Sequence, residues 1–291
     1  MLGLRSKPTE SLPTVLPPSP TLDQVIWAVN RNSTAIYNFQ TDRAVLSGRD
    51  FPSLRAMIVF ERPLRLRLRA GTGVTGLELD LGSNDELFWV WVRRDPQLYF
   101  CRHAEFAHSA VAQQFPLDPR WVVDALGLVE LDPTSQHEGP HPLDARRLRV
   151  VSHIATPTGP RTRVVIVDSQ TAAVLEQLVY DSQGRLLALA RGMRHRRDPL
   201  SGLIMPQVVY IESPAFELAL QVDLGPVRIN RPLEAAPDIW QMPRYEGWVP
   251  VDLARTIAYL PTLRNVLEPP HWERRQGPVL AEVPSARIKF R

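Results

Sequence analysis

The chain has 291 residues, 44% of them hydrophobic and 22% charged, with a formal net charge of +3; that balance suits a globular protein with a sizeable core and argues against disorder along most of its length. No run approaches the roughly 20 apolar residues of a membrane-spanning helix, and the single cysteine, Cys101, excludes an intramolecular disulfide and a four-cysteine zinc site. The basic surplus (pI ≈ 9.3) is spread over strands where Arg alternates with Asp or Glu, unlike the single stripe of a nucleic-acid binder, so no nucleic-acid partner is expected.

Residues 1–20 hold Pro8, Pro13, Pro17, Pro18 and Pro20 among Ser and Thr and lack the apolar core of an export signal. They read as a disordered, proline-rich tether. Thr21-Leu-Asp-Gln24 is a capping box, and Leu22, Val25, Ile26 and Val29 then recur at helical spacing, which predicts an amphipathic helix lying on something apolar.

Arg62-Pro-Leu-Arg-Leu-Arg-Leu-Arg69 alternates with the period of a strand. Leu64, Leu66 and Leu68 should share one face, and Arg65, Arg67 and Arg69 a solvated opposite face. The glycine-containing gap 71–76 leads into Leu77-Glu-Leu-Asp-Leu81, and a turn at 82–85 into Leu87-Phe-Trp-Val-Trp-Val92. The apolar surface is expected to continue through Leu77 and Leu79 to Trp89 and Trp91. Cys101 falls in the strand-like segment 97–103 and reads as a small buried hydrophobe.

Asp118-Pro119 opens a second helix with the stripe Trp121, Val122, Ala125 and Leu126, stopped by Gly127. A Pro/Gly/His loop over 133–142 precedes strands at 147–153, 163–167, 173–180, 185–191 and 207–212, with 181–184 as a hairpin turn. Phe216, Leu218, Leu220, Val222 and Leu224 make a second alternating apolar face. The densest basic cluster, Arg191, Arg194, Arg196 and Arg197, lies between two of these strands; it reads first as a solvated loop and otherwise as a surface that attracts anionic lipid headgroups or an acidic partner. Beyond residue 232 the pattern fades into proline-rich chain, with a short helix predicted near Val251–Tyr259.

Three strings resemble catalytic motifs and lack their context. His137-Glu-Gly-Pro-His141 matches H-E-x-x-H, but Gly139 and Pro140 oppose the helix that would set both imidazoles on one face. Gly71-Thr-Gly-Val-Thr-Gly76 matches G-x-G-x-x-G but precedes a strand pattern, where a dinucleotide fold needs a helix. Cys101, His103 and His108 offer no fourth metal ligand. No catalytic residue, metal or cofactor is therefore assigned, and the chain is expected not to be an enzyme.

With the elements placed, the chain resembles the lipoprotein-localisation (LolA/LolB-like) superfamily, especially its larger outer-membrane lipoprotein-sorting members. The resemblance rests on the order of Phe60-Glu-Arg-Pro-Leu-Arg-Leu66, Asn84-Asp-Glu-Leu-Phe-Trp-Val-Trp91, Tyr180-Asp-Ser-Gln-Gly-Arg-Leu186, Gly202-Leu-Ile-Met-Pro206, Val227-Arg-Ile-Asn230 and Ile239-Trp-Gln-Met-Pro243. It implies a mainly β fold, an incomplete antiparallel barrel over residues 21–245 covered by short helices around an apolar cavity, with 246–291 as an extension packed on the barrel. It also implies a carrier or acceptor holding acyl chains of a lipid or lipoprotein in the periplasm or at the outer membrane, near an anionic membrane surface.

The expected cavity lining is Leu64, Leu66, Leu68, Leu77, Leu79, Trp89, Trp91, Leu218, Leu220 and Val222, with Val25, Ile26, Trp121 and Leu126 in the lid. Apolar alternation reads equally as a core with no ligand. The alternatives are thus a structural envelope protein with a self-filled core that binds a protein partner and, third, an enzyme of unknown type.

Overall fold

The capping box forms as the sequence dictates: the Gln24 N–H donates to the Thr21 hydroxyl at 3.3 Å and the Thr21 N–H to the Gln24 side chain at 2.9 Å, starting α1 (Leu22–Ala35). The computed structural model describes residues 12–48, 52–95, 97–109, 112, 120–214 and 217–255. After α1 come β1 (Asn38–Gly48), β2 (Leu54–Glu61), β3 (Arg65–Thr72), β4 (Gly76–Ser83), β5 (Leu87–Val92) and β6 (Gln97–Arg102), then α2 (His103–Phe106) and α3 (Trp121–Ala125). A second run follows: β7 (Gln136–Pro142), β8 (Arg147–Ile154), β9 (Arg161–Asp168), β10 (Val174–Tyr180) and β11 (Leu186–Met193). The short hairpin β12 (Arg196–Arg197) and β13 (Ile204–Met205) leads to β14 (Val208–Ser213), β15 (Leu218–Asp223), β16 (Arg228–Ile229) and β17 (Val249–Asp252).

Apart from the β12–β13 ribbon, the strands form one open sheet in the order β17-β6-β5-β4-β3-β2-β1-β15-β14-β11-β10-β9-β8-β7, with β16 beside β1. The β1–β6 and β7–β11 meanders join where β1 pairs antiparallel with β15 and β14 with β11. The ends do not meet, so the sheet is an incomplete barrel.

The inner face is predominantly apolar. Phe60, Ile58 and Ala56 of β2 oppose Leu66, Leu68 and Ala70 of β3, which lie in register with Leu81 and Leu79 of β4 and Val90 and Val92 of β5. These residues belong to one core with Val209, Val222 and Leu224, and a second core joins α1 to Leu148, Val150, Val165 and Val167.

The register corrects the expected phase of the aromatic strand. Trp89 pairs with Gly82, and Trp91 with Asp80, so both tryptophans stand on the outer face with Arg67 and Arg69, opposite the leucines. A bulge between Ala70 and Gly71 shifts the β3–β4 register, so Leu77 joins the tryptophan cluster while Leu79 remains in the inner core. Leu64 precedes β3 and lies in the β2–β3 turn.

The outer arginine face is solvated only in part: Arg69 is exposed and Arg65 half-buried, but Arg67 is covered. A strap running from the 3-10 turn Pro237–Trp240 into β17 crosses β3–β6 and packs Met242, Tyr245 and Trp248 on Trp89, Trp91 and Leu98. Arg67 is 5% exposed and Asp80 fully buried. The Arg67 guanidinium donates to Asp80 at 2.6 Å and to the carbonyls of Ile239 and Gln241, and it stacks over Trp89 at 4.9 Å. The Tyr245 hydroxyl donates to the same carboxylate; burial and that neighbouring charge push the phenol pKa upward.

Three further expectations need correction or restriction. The expected loop at 133–142 contains β7, an edge strand interrupted by a bulge between Glu138 and His141. Within the expected tether, Leu16 is buried against α1's cluster, and the Val15 and Leu16 N–H groups donate to the Gln170 carbonyl. Val251 and Asp252 are strand and 253–255 turn rather than helix. Residues 1–11, Asp118, Pro119, Phe216 and 256–291 lie outside the described residues.

Gly82 has no room for a side chain, since a Cβ there would stand 2.1 Å from the Trp89 ring, whereas one at Gly73 meets nothing within 4 Å. Gly82→Ala should destabilise the protein by about 1–3 kcal/mol through overpacking and Gly73→Ala should be near neutral, both read from the urea midpoint. Thr21→Ala should cost about 1 kcal/mol by the same measurement.

Candidate functional site

The largely apolar inner face carries most of the expected lining, and what covers it defines the candidate site. Leu66, Leu68, Leu79 and Val222 are buried there, Leu220 packs against the same core, and Leu218 is half-buried at the end of β15. Of the expected lining, Leu64, Leu77, Trp89 and Trp91 are elsewhere, for the register reasons given above.

The cover has two parts. α1 buries Val25 and Ile26 on the β8–β9 half of the sheet. α3 and the strand-free strap after it cross from one half to the other, with Leu126 and Leu128 in the β2–β5 core and Val129 and Leu131 in the α1 core. Trp121 packs on Val179, Leu187 and Ala188. Gly127, at φ +99°, makes the bend that ends α3, and Pro206 lies where a Cβ would project. The half-barrel's apolar interior is thus occupied by the lid's own leucines.

Polar contacts, rather than a long helix, fasten this lid. Arg163 points inward from β9, donating to the Asp124 carboxylate at 2.9 Å and to the Glu130 carbonyl at 3.1 Å. Arg62 donates to the Ile36 and Ser33 carbonyls at the end of α1 and forms an ion pair with Glu130. Asn30 clamps Leu131 through a matched pair of hydrogen bonds, its amide donating to the Leu131 carbonyl and its oxygen accepting from the Leu131 N–H. Sequence periodicity gave no sign of these tethers, because a lone inward Arg or a helix Asn has no repeating pattern.

Two hollows frame the site. A cavity of about 20 Å³ lies between Val29, Asn32, Gly127, Ala172 and Pro206, room for about one water. A cleft of about 600 Å³ opens at the far ends of β8–β10, between the 154–161 and 180–184 turns, with Tyr180 and His153 in its wall. Its wall includes Tyr180, which packs with Val164 and Leu178 on the outer side, together with Ile154 and Arg161, which share the phase of the inward Val150 and Val165.

The remaining sequence candidates are distributed over the surface. Arg191 pairs with Glu176 and Arg194 with Asp223, while Arg197 donates to the Gly202 carbonyl and Arg196 is exposed on the β12–β13 ribbon. Cys101 is buried, and burial first, then Asp252 and Glu105, push its thiol up to about 11. The H-E-x-x-H string lies in β7, where the His137 ring bonds the Ser152 hydroxyl and the Glu138 carboxylate meets His153. Among the described residues no group of three or more His, Cys, Asp or Glu is placed to hold a metal.

No protein-family model matches the sequence, and no curated protein does. Solved structures do match in fold. A DUF1329 family protein from Desulfovibrio piger is 12% identical, with a TM-score of 0.52 over 76% of this chain and 97% of its own. A domain from Vibrio parahaemolyticus named for outer membrane lipoprotein sorting is 9% identical, with a TM-score of 0.50 over 75% and 97%. The chain therefore shares the fold of these two proteins, the second of which carries the lipoprotein-sorting name that the sequence resemblance pointed to.

Arg163→Gln removes the charge that holds Asp124 while keeping a polar side chain in place. Amide hydrogen exchange across residues 120–131 should accelerate by about 10- to 150-fold, as a charge-assisted bond worth about 1.5–3 kcal/mol is lost, with exchange in β2 and β3 unchanged.

Proposed function

We propose that the protein binds acyl chains of a lipid or lipoprotein beneath this lid and acts as a carrier or acceptor in the cell envelope. The observation that carries the reading is a continuous apolar inner face closed by a short helix and a strap that are tied down at a few polar points. Such a cover moves as a unit when its ties break, exposing a surface already shaped for hydrocarbon. Membership of the same fold class as a lipoprotein-sorting domain supports the reading. It has no step that needs a catalytic residue.

Magnitudes favour exchange. Burying about fifteen methylenes gains roughly 12 kcal/mol at ~0.8 kcal/mol each. Displacing Leu126 and Leu128 costs about 1.5–3 kcal/mol apiece if they become exposed, and ordering the chain costs more. The surplus is favourable but modest, which is what release of a cargo requires. The exposed Arg196 and Arg197 would face an anionic membrane during transfer.

The second reading, a structural envelope protein whose core fills itself, is favoured by Leu126 and Leu128, each 1% exposed in the interior. Uptake separates the two. Organic extraction of the purified protein followed by mass spectrometry should recover fatty-acyl species, and the stripped protein should bind the fluorescent fatty acid cis-parinaric acid. Asp124→Asn should speed that uptake several-fold by weakening the Arg163 tie. Absence of both extracted acyl species and cis-parinaric acid binding would leave the self-filled core as the better account.

A further inference from the structure

Gln177 is 1% exposed and points inward from β10, opposite Val165 of β9 and Ala190 of β11. Val165 belongs to the core containing Val129 and Leu131, and Ala190 to the core containing Leu126 and Leu128. The side chain therefore lies at the seam of the two cores, the same seam that the lid strap crosses.

Neither the Oε1 nor the Nε2 atom of Gln177 has a hydrogen-bond partner. Buried amides are almost always bonded, and one left unpaired burdens the state that buries it. Methionine would fill nearly the same volume without that burden. Two more buried donors lack partners close by: Nε of Arg163, which is cross-strand to Val179, and Nε1 of Trp121, which packs on Val179. Unpaired polar atoms thus lie together beneath the lid in a largely apolar interior, as others do on the outer face at Arg67, Asp80, Trp89 and Trp91, and of the two groups only the one beneath the lid faces the proposed acyl site.

The chemistry of the amide selects its counterpart. Gln177 presents one acceptor and a donor group side by side. A secondary amide answers both, offering its own N–H and carbonyl, whereas an ester carbonyl answers only the donor and a bare hydrocarbon answers neither. We propose that Gln177 is the polar anchor of the inner face and selects acyl chains attached through an amide over those attached through an ester. This rests on the acyl-binding reading above and names the ligand class of the same site. The selectivity comes from gain: an amide-linked chain pairs both groups that the closed state leaves unpaired, an ester pairs only the donor, and a bare hydrocarbon leaves the amide as it was.

The test uses the full chain loaded with cis-parinaric acid and two neutral competitors of equal chain length, N-methyldodecanamide and methyl dodecanoate. The native protein should release the probe at about tenfold lower concentration of the amide than of the ester. In Gln177→Met the two competitors should become equivalent, and the ligand-free variant should unfold at a urea midpoint no lower than the native protein. Equal competition in the native protein, or a preference that survives in Gln177→Met, overturns the proposal. So does a variant that unfolds earlier or fails to fold, since the amide would then already be supporting the closed state. Failure of cis-parinaric acid to bind at all overturns the acyl-binding reading itself, an outcome distinct from binding without selectivity.

Discussion

An open sheet with apolar residues on both faces has to be covered twice, and that requirement organises the whole molecule. A barrel that closed on itself would bury its inner side chains against one another. Here β7 and β17 remain apart at the two ends of the strand order, so inner and outer surfaces each recruit chain from elsewhere. The inner cover is α1 with the 120–131 strap, and the outer cover is the strap from the Pro237–Trp240 turn to β17.

The two covers are fastened differently, and the difference has physical consequences. On the outer face the Arg67–Asp80 pair is almost fully buried, reads two strap carbonyls, stacks over Trp89 and accepts from the Tyr245 hydroxyl. Removing one member of such a pair strands the other charge in a desolvated site, so this cover is built to stay. On the inner face the Arg163–Asp124 pair is partly exposed, at 12% and 23% of the two side chains, and Glu130 is about half exposed. Water stands ready to solvate these groups if they part, so the inner cover costs less to lift.

The inner-face phase of β3 was legible from Leu66 and Leu68, because Arg at every second position leaves only one face that avoids water. The capping box at Thr21 and the stop at Gly127 were equally readable, each being a local pattern with a local cause. The phase of β5 was not: Phe88, Val90 and Val92 alternate with Trp89 and Trp91, both sets are apolar, and period two assigns no face when neither is polar. Pairing with β4 decides it, setting Trp89 on Gly82, where the missing side chain leaves space for the indole. The solvated arginine face failed at Arg67 for a related reason, while Arg69 remains exposed. Its cover is irregular chain some 170 residues away, linked by Arg67 to Ile239 and Gln241, and irregular chain carries no periodicity to read.

The same blindness hid the polar groups of the candidate site. Arg163 and Gln177 each occupy one inward position in strands otherwise rich in Val, Ile and Leu. A single polar residue in such a run looks like a tolerated exception until its neighbours are known. In register they differ in kind: Arg163 has partners in the lid, whereas the Gln177 amide has none. A closed state that satisfies its latch but strands an amide is biased in two directions at once. The ion pair favours closure, the unmet amide favours whatever state pairs it, and a ligand bringing both a donor and an acceptor tips that balance without needing to break the outer cover.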